Sequence, residues 1–228
     1  MTKPKPGGAS APHAFPQHTS LLALACCAAL AACGGGGGDS GGGEAAYPAV
    51  AATPATDAGL LGAYLGAWRG DCADHRRDSA TVTRVSASVI RIAERTDYFA
   101  QADCSGAPAA TVTRTADADA AYQDSIDAPV TLAPGTAAVL LRIDRVGVTL
   151  PAHTIEVAGP AVTRSLVDGR TQWCIALGAG QSRCIADQGT IPASATDAAL
   201  HAAGDTLYRL APAGDGYIAL QRSTRRRE

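Results

Sequence analysis

The chain has 228 residues, with 19 basic side chains against 21 acidic ones, a near-balance that excludes the clustered positive field of a nucleic-acid-binding surface. Its two lysines are Lys3 and Lys5, so beyond residue 32 the 17 arginines face all 21 acids and the balance falls to about −4. Without a later lysine there is no Schiff-base lysine, no Walker A phosphate loop and no Ser-x-x-Lys nucleophile.

Residues 1–20 hold Lys3 and Lys5 and no acid, and Leu21 to Ala32 are uninterruptedly apolar. That run suits the core of a signal peptide and falls short of the roughly 20 residues a spanning helix needs. It closes on Leu30-Ala31-Ala32-Cys33, which resembles the lipobox of bacterial lipoprotein precursors. Cys26, after Ala23-Leu24-Ala25, fits less well, and Cys27 worse. The resemblance implies removal of residues 1–32, a diacylglycerol thioether on Cys33 and an acylated, palmitate-type amine. Two or more acyl chains hold a protein firmly to a bilayer. Gly34, where an Asp would retain the protein in the inner membrane, points by the same resemblance to the outer membrane of a Gram-negative envelope. The alternative is an ordinary secretory signal that leaves Cys33 as an odd thiol.

Gly34 to Gly43, broken only by Asp39 and Ser40, satisfies Gly-x-Gly-x-x-Gly trivially and follows no strand. Residues 33–58 therefore read as a lipidated cysteine and a flexible tether, with a root-mean-square reach of about 25–30 Å. Residues 59–228 suffice for one core and are read as one β-rich domain.

Leu60, Leu61, Tyr64, Leu65 and Trp68 recur at helical spacing behind Asp57, although Gly59, Gly62 and Gly66 weaken a helix, so a short helical turn leading into a strand is expected. Seven short β-branched segments follow: 81–85, 89–93, 111–115, 139–143, 146–150, 154–157 and 162–167, punctuated by Gly, Pro, Asp or Ser. Between residues 139 and 150 the apolar set moves from odd positions (Val139, Leu141, Ile143) to even ones (Val146, Val148, Leu150), which requires a bulge or turn near Asp144. Asp168-Gly169 signals a two-residue hairpin. Gly178-Ala179-Gly180 makes a second hairpin that sets Leu177 against Gln181, Ile175 against Arg183 and Cys174 against Cys184. Ala198 to Ala203, capped by Thr196 and ended by Gly204, reads as a helix. Residues 206–210 and 217–222 form a last hairpin around Gly214-Asp215-Gly216. The expected fold is all-β: a single small antiparallel meander, barrel or sandwich, with one or two short helices and two disulfides.

Besides Cys33 the processed chain holds Cys72, Cys104, Cys174 and Cys184, an even set that reads as disulfides in an oxidising compartment. The hairpin register pairs Cys174 with Cys184, and Cys72 with Cys104 follows by elimination. Loop closure is worth roughly 2.8 kcal/mol for the first bridge and roughly 3.7 kcal/mol for the second.

Chemistry is sparsely signalled. Three histidines, His75, His153 and His201, survive processing, and Gly-x-Ser-x-Gly and His-Glu-x-x-His are both absent. Gly180-Gln181-Ser182-Arg183-Cys184 has cysteine in place of the last glycine and sits in a predicted hairpin. Asp71, Asp74, His75 and Asp78 form a possible metal set, but Arg69, Arg76 and Arg77 lie among them and favour a mutually neutralising surface. A calcium-loop register from Asp117 through Asp119 and Asp124 fails at Ala121, Tyr122 and Ala128. Arg69-Gly70-Asp71 spells an adhesion tripeptide at a presumed strand end, and Arg225 to Arg227 are the one basic run, read as a solvated tail with anionic lipid as the alternative partner. No catalytic residue, metal ligand or cofactor is assigned.

Gly66-Ala67-Trp68 after a helical turn resembles the Gly-x-Trp that opens the first strand of lipocalins, where the tryptophan plugs the barrel base. The wider pattern, Cys four residues after Trp68, Asp-x-Tyr before Cys104-Ser105-Gly106, a late Cys-Ile and a terminal Tyr-Arg hairpin, is similar to a group of Gram-negative lipoproteins without assigned activity. The expected function is a non-enzymatic structural or binding domain, lipid-anchored in the outer membrane, whose partner is an envelope protein or a small molecule. The alternative is a lipocalin-like carrier of a small apolar ligand, distinguished by an internal cavity. A hydrolase built on His153 or His201 would need a carboxylate and a hydroxyl beside one of them.

Overall fold

The structure, a computed structural model, describes residues 59–226. Cys33, the signal segment and the tether lie outside the described residues. A 3₁₀ turn, Gly62–Tyr64, leads directly into the first strand. Thirteen strands follow in order: β1 Gly66–Gly70, β2 Arg76–Arg84, β3 Val89–Phe99, β4 Pro108–Arg114, β5 Ala118–Thr131, β6 Val139–Leu150, β7 Ile155–Ala158, β8 Val162–Val167, β9 Arg170–Ala176, β10 Ser182–Ala186, β11 Ser194–Ala203, β12 Thr206–Ala213 and β13 Gly216–Arg225.

Eight of these strands close a ring. β1 pairs with β2, β2 with β3, β3 with β5, β5 with β6, β6 with β11, β11 with β12, β12 with β13, and β13 returns to β1, every contact antiparallel. Closure removes the exposed sheet edge an open meander would leave. β3 forks: Val89 to Ile92 pair with β5, whereas Arg95 to Phe99 pair with β4, which in turn carries β7. β8, β9 and β10 form a separate three-stranded sheet. Its Ile175 packs with Tyr98 and Ala110 in a satellite core.

Two larger cores lie on opposite faces of the same strands. The first gathers Leu61, Tyr64, Trp68, Val82, Ile90, Ala120, Val146 and Leu200 inside the eight-stranded ring. The second gathers Ala128, Val130, Leu141, Ile143, Ala199 and Leu210. A short parallel contact, Tyr217 to Val130 and Ile218 to Thr131, joins β13 to the end of β5 and closes a smaller ring, β5–β6–β11–β12–β13, around this second core.

This two-core plan explains the phase slip. β6 is one continuous strand whose odd residues Leu141 and Ile143 face the second core and whose Val146 faces the first. The bulge lies on the partner, between Tyr122 and Asp124 of β5. Asp144 marks a change in which face is covered.

The expected helix at Ala198 to Ala203 is corrected: these residues are β11, paired with β6 on one side and β12 on the other. Alanine favours helix only weakly, and here Leu200 and Ala199 are buried on opposite faces, which a strand supplies and a one-sided helix does not. Gly204, at φ 57°, begins the hairpin turn to β12. Among the described residues the helical segments are two 3₁₀ turns, Gly62–Tyr64 and Gly178–Gly180. The three expected hairpins stand as read, the last with Ala213 opposite Gly216. Asp168 and Gly169 take φ 50° and 74°, and Cys174 lies opposite Cys184.

Both disulfides are present: Cys72–Cys104 with Cα atoms 5.8 Å apart and Cys174–Cys184 with Cα atoms 4.0 Å apart. The first ties the β1–β2 connection to the β3–β4 connection. The second staples β9 to β10.

Candidate functional site

The ring is sealed at one end by Trp68. Its indole is 1 % exposed, and its Nε1 donates to the Tyr64 carbonyl at 2.7 Å, so the 3₁₀ turn is the bracket that fixes the ring. The Arg225 guanidinium lies 4.8 Å from the indole centroid and donates to the Ala63 carbonyl at 3.0 Å. First strand, entry turn and last strand are thus locked by one aromatic side chain.

Beside the plug is a polar relay. The Tyr64 hydroxyl donates to Asp144 Oδ2 at 2.6 Å, with the Leu200 carbonyl 3.2 Å away. Ser125 Oγ donates to Asp144 Oδ1 at 2.5 Å and stands 2.8 Å from the Tyr122 hydroxyl. Burial, and then the Asp144 carboxylate, push the Tyr64 phenol far above its ordinary value, so it stays a protonated donor at any pH where the protein is folded.

Two cavities adjoin the first core. One cavity of about 290 Å³ is walled by Trp68, Val82, Ile90 and Leu207 and by the charged Arg76, Asp78 and Arg95. A second, of about 460 Å³, is walled by Ala118, Val146, Val148, Ala198 and Leu200, reaches Leu210 of the second core, and opens past Thr196, Asp197 and the exposed Leu220. The two share Ile92, Glu94, Arg114, Leu200 and Arg209, so they adjoin along that wall. The larger lies within the usual range for ligand pockets, about 300–1,000 Å³, and the smaller is at its lower edge. Space remains because Ala80, Ala118, Ala198 and Ala211 occupy lining positions.

The shared wall ends in charge. Glu94 meets Arg114 at 2.6 Å and Arg209 at 3.8 Å, one acid between two guanidiniums. Gln221 and Ser223 of β13 also line the smaller cavity. The smaller cavity thus mixes apolar and charged walls, and the larger one is the more apolar, with the Glu94, Arg114 and Arg209 cluster between them.

The singled-out histidines are elsewhere, all buried. His75 Nδ1 donates to the Phe99 carbonyl at 3.0 Å, His153 Nδ1 to Pro151 at 3.0 Å and His201 Nδ1 to Arg142 at 2.8 Å. His201 also lies against the Tyr208 ring. Each of these contacts is to backbone or ring, an arrangement that holds strands together. Asp78 is engaged by Arg76 and Thr96, and Asp71 by Arg222. Asp119 and Asp124 sit on strand β5, where Arg91 and Arg145 hold their carboxyls below the usual range. Among the described residues no three His, Cys, Asp or Glu side chains come together as a metal site.

No family model, no curated protein and no solved structure matches this chain.

Proposed function

We propose that the protein is an envelope lipoprotein whose barrel binds a small molecule with a largely apolar body, anchored through Cys33 to the outer membrane. The observation that carries the binding reading is the pair of adjoining cavities, the smaller against Trp68, where a purely structural barrel would be packed to the density of a protein interior. Gly66-x-Trp68 on the first strand of a closed antiparallel ring adds support for a carrier resembling the lipocalins. The anchor rests on the lipobox sequence, and the two disulfides are compatible with an oxidising compartment.

Two measurements on protein from a Gram-negative host test the halves separately. Intact mass and membrane fractionation, with Cys33→Ala as control, read the anchor: the expected result is a chain beginning at Cys33 with triacyl mass, lost together with membrane association in the variant. Organic extraction of the purified parent, followed by mass spectrometry, reads the cargo. A stoichiometric apolar compound is expected, and an empty barrel that also refuses added apolar probes would sink the carrier reading.

A further inference from the structure

We propose that the outer face of β1, β2 and β3 is an anion groove that docks onto the phosphate headgroups of an anionic lipid surface. The odd-numbered residues of these strands point away from the barrel interior, and register sets them in rows: Arg69 opposite Ser79, Ser79 opposite Arg95, and Arg77 opposite Asp97. Together with Arg226 they line a groove of about 500 Å³. The groove thus holds Arg69, Arg77, Arg95 and Arg226 against one lining acid, Asp97.

That acid is already occupied. Asp97 accepts from Arg95 Nε at 2.8 Å and from Thr111 Oγ1 at 2.8 Å. Eight of the described arginines stand beside carboxylates in ion pairs, from Arg76–Asp78 to Arg222–Asp71. Among the described residues Arg69, Arg77 and Arg226 stand in no such pair, and neither do Arg164, Arg170, Arg183 and Arg225; the first three line this groove together, with Asp103 as the longer-range acid beside Arg77. Arg77 is also pre-oriented, its guanidinium 5.3 Å from the Phe99 ring centroid. Planar guanidiniums with free donors recognise phosphate oxygens bidentately.

The lipid source follows from the tether, and to that extent the inference rests on the Cys33 anchor. Between Cys33 and Gly59 lie 26 residue steps, a maximum span on the order of 90 Å, so headgroups are always within reach of the groove at high effective concentration.

The test uses the full chain with Cys33→Ala, which cannot be lipidated, in co-sedimentation with phosphatidylglycerol–phosphatidylcholine vesicles and with phosphatidylcholine vesicles alone. Binding to the anionic vesicles is expected, with a loss on the order of a hundredfold in Arg69→Gln/Arg77→Gln/Arg226→Gln. A charge-matched control, Arg164→Gln/Arg170→Gln/Arg183→Gln on the three-stranded sheet, keeps the binding, and circular dichroism verifies the fold of both variants. Equal binding by the groove variant and the parent, or none by the parent at low salt, overturns the proposal. Full displacement by millimolar inorganic phosphate would also overturn it, assigning the groove to a free anion. Failure of the anchor appears separately, as missing acyl mass, and failure of the carrier as an empty barrel.

Discussion

Ala199 and Leu200 are consecutive on β11 and belong to different cores: Leu200 packs with Trp68 and Val146, Ala199 with Ile143 and Leu210. The β11–β12 ribbon is therefore a shared wall between two buried clusters. Truncation of Leu200, 7 % exposed, to Ala is expected to cost about 2–4 kcal/mol. Enlargement of Ala199, 1 % exposed, to Leu is expected to cost about 1–3 kcal/mol by overpacking. Urea unfolding checks both. Because Leu200 lines both cavities and Ala199 lines neither, only Leu200→Ala should alter ligand affinity.

Gly216 closes the smaller ring. A Cβ there would sit 2.3 Å from the Pro129 carbonyl oxygen, backbone that cannot swing aside. Gly216→Ala is expected to lose about 1–3 kcal/mol and to raise amide exchange at Val130 and Thr131. In Gly147→Ala the new Cβ meets the flexible Gln123 amide at 3.2 Å, so a smaller loss is expected.

The buried Tyr64 phenol sets an alkaline limit. An unfolded tyrosine ionises near pH 10, and the folded value is raised by burial and Asp144. A raised folded value means that the contribution is fully present below about pH 10 and declines above it, by about 1.4 kcal/mol per pH unit. Tyr64→Phe should lower stability at neutral pH by about 1–3 kcal/mol, leaving Asp144 with Ser125 as its remaining side-chain donor, and flatten the alkaline decline. Denaturation midpoints from pH 8 upward, about two units across the expected onset, distinguish the two effects.

Glu94 tempers the positive charge of Arg114 and Arg209 at the cavity wall. All three side chains are between one-third and one-half exposed, so the pairing is worth little in water. Glu94→Gln is expected to tighten dodecanoate binding about two- to fivefold and to leave a neutral apolar probe unaffected. Parallel fluorescence titrations check the contrast.

Local signals were the legible ones. Asp168-Gly169 and Gly178-Ala179-Gly180 state their turns through positive φ, and the second fixes the Cys174–Cys184 register. Strand β5 escaped because Ala118 to Ala128 is largely Ala, Asp, Tyr, Gln and Ser, with Ile126 its one β-branched aliphatic, and because the bulge at Gln123 breaks its alternation. The strand at Ala198 to Ala203 was hidden by alanine content, since burial on both faces is a tertiary fact. Barrel closure depends on β1 meeting β13, a pairing across most of the domain that no short window contains. The cavities did leave a trace, the alanines at positions 80, 118, 198 and 211, which are too small to fill a ring. The arginine groove left less, because Arg69, Arg77 and Arg226 are brought together only by register.

The most direct measurement is a titration of the protein with N-phenyl-1-naphthylamine, a neutral apolar fluorophore, beside Leu207→Trp, which fills the smaller cavity from β12. A saturable single site in the parent, weakened at least about tenfold in the filled variant at unchanged urea midpoint, is the result the carrier account predicts. Absence of saturable binding, or equal binding by the two proteins, would contradict it.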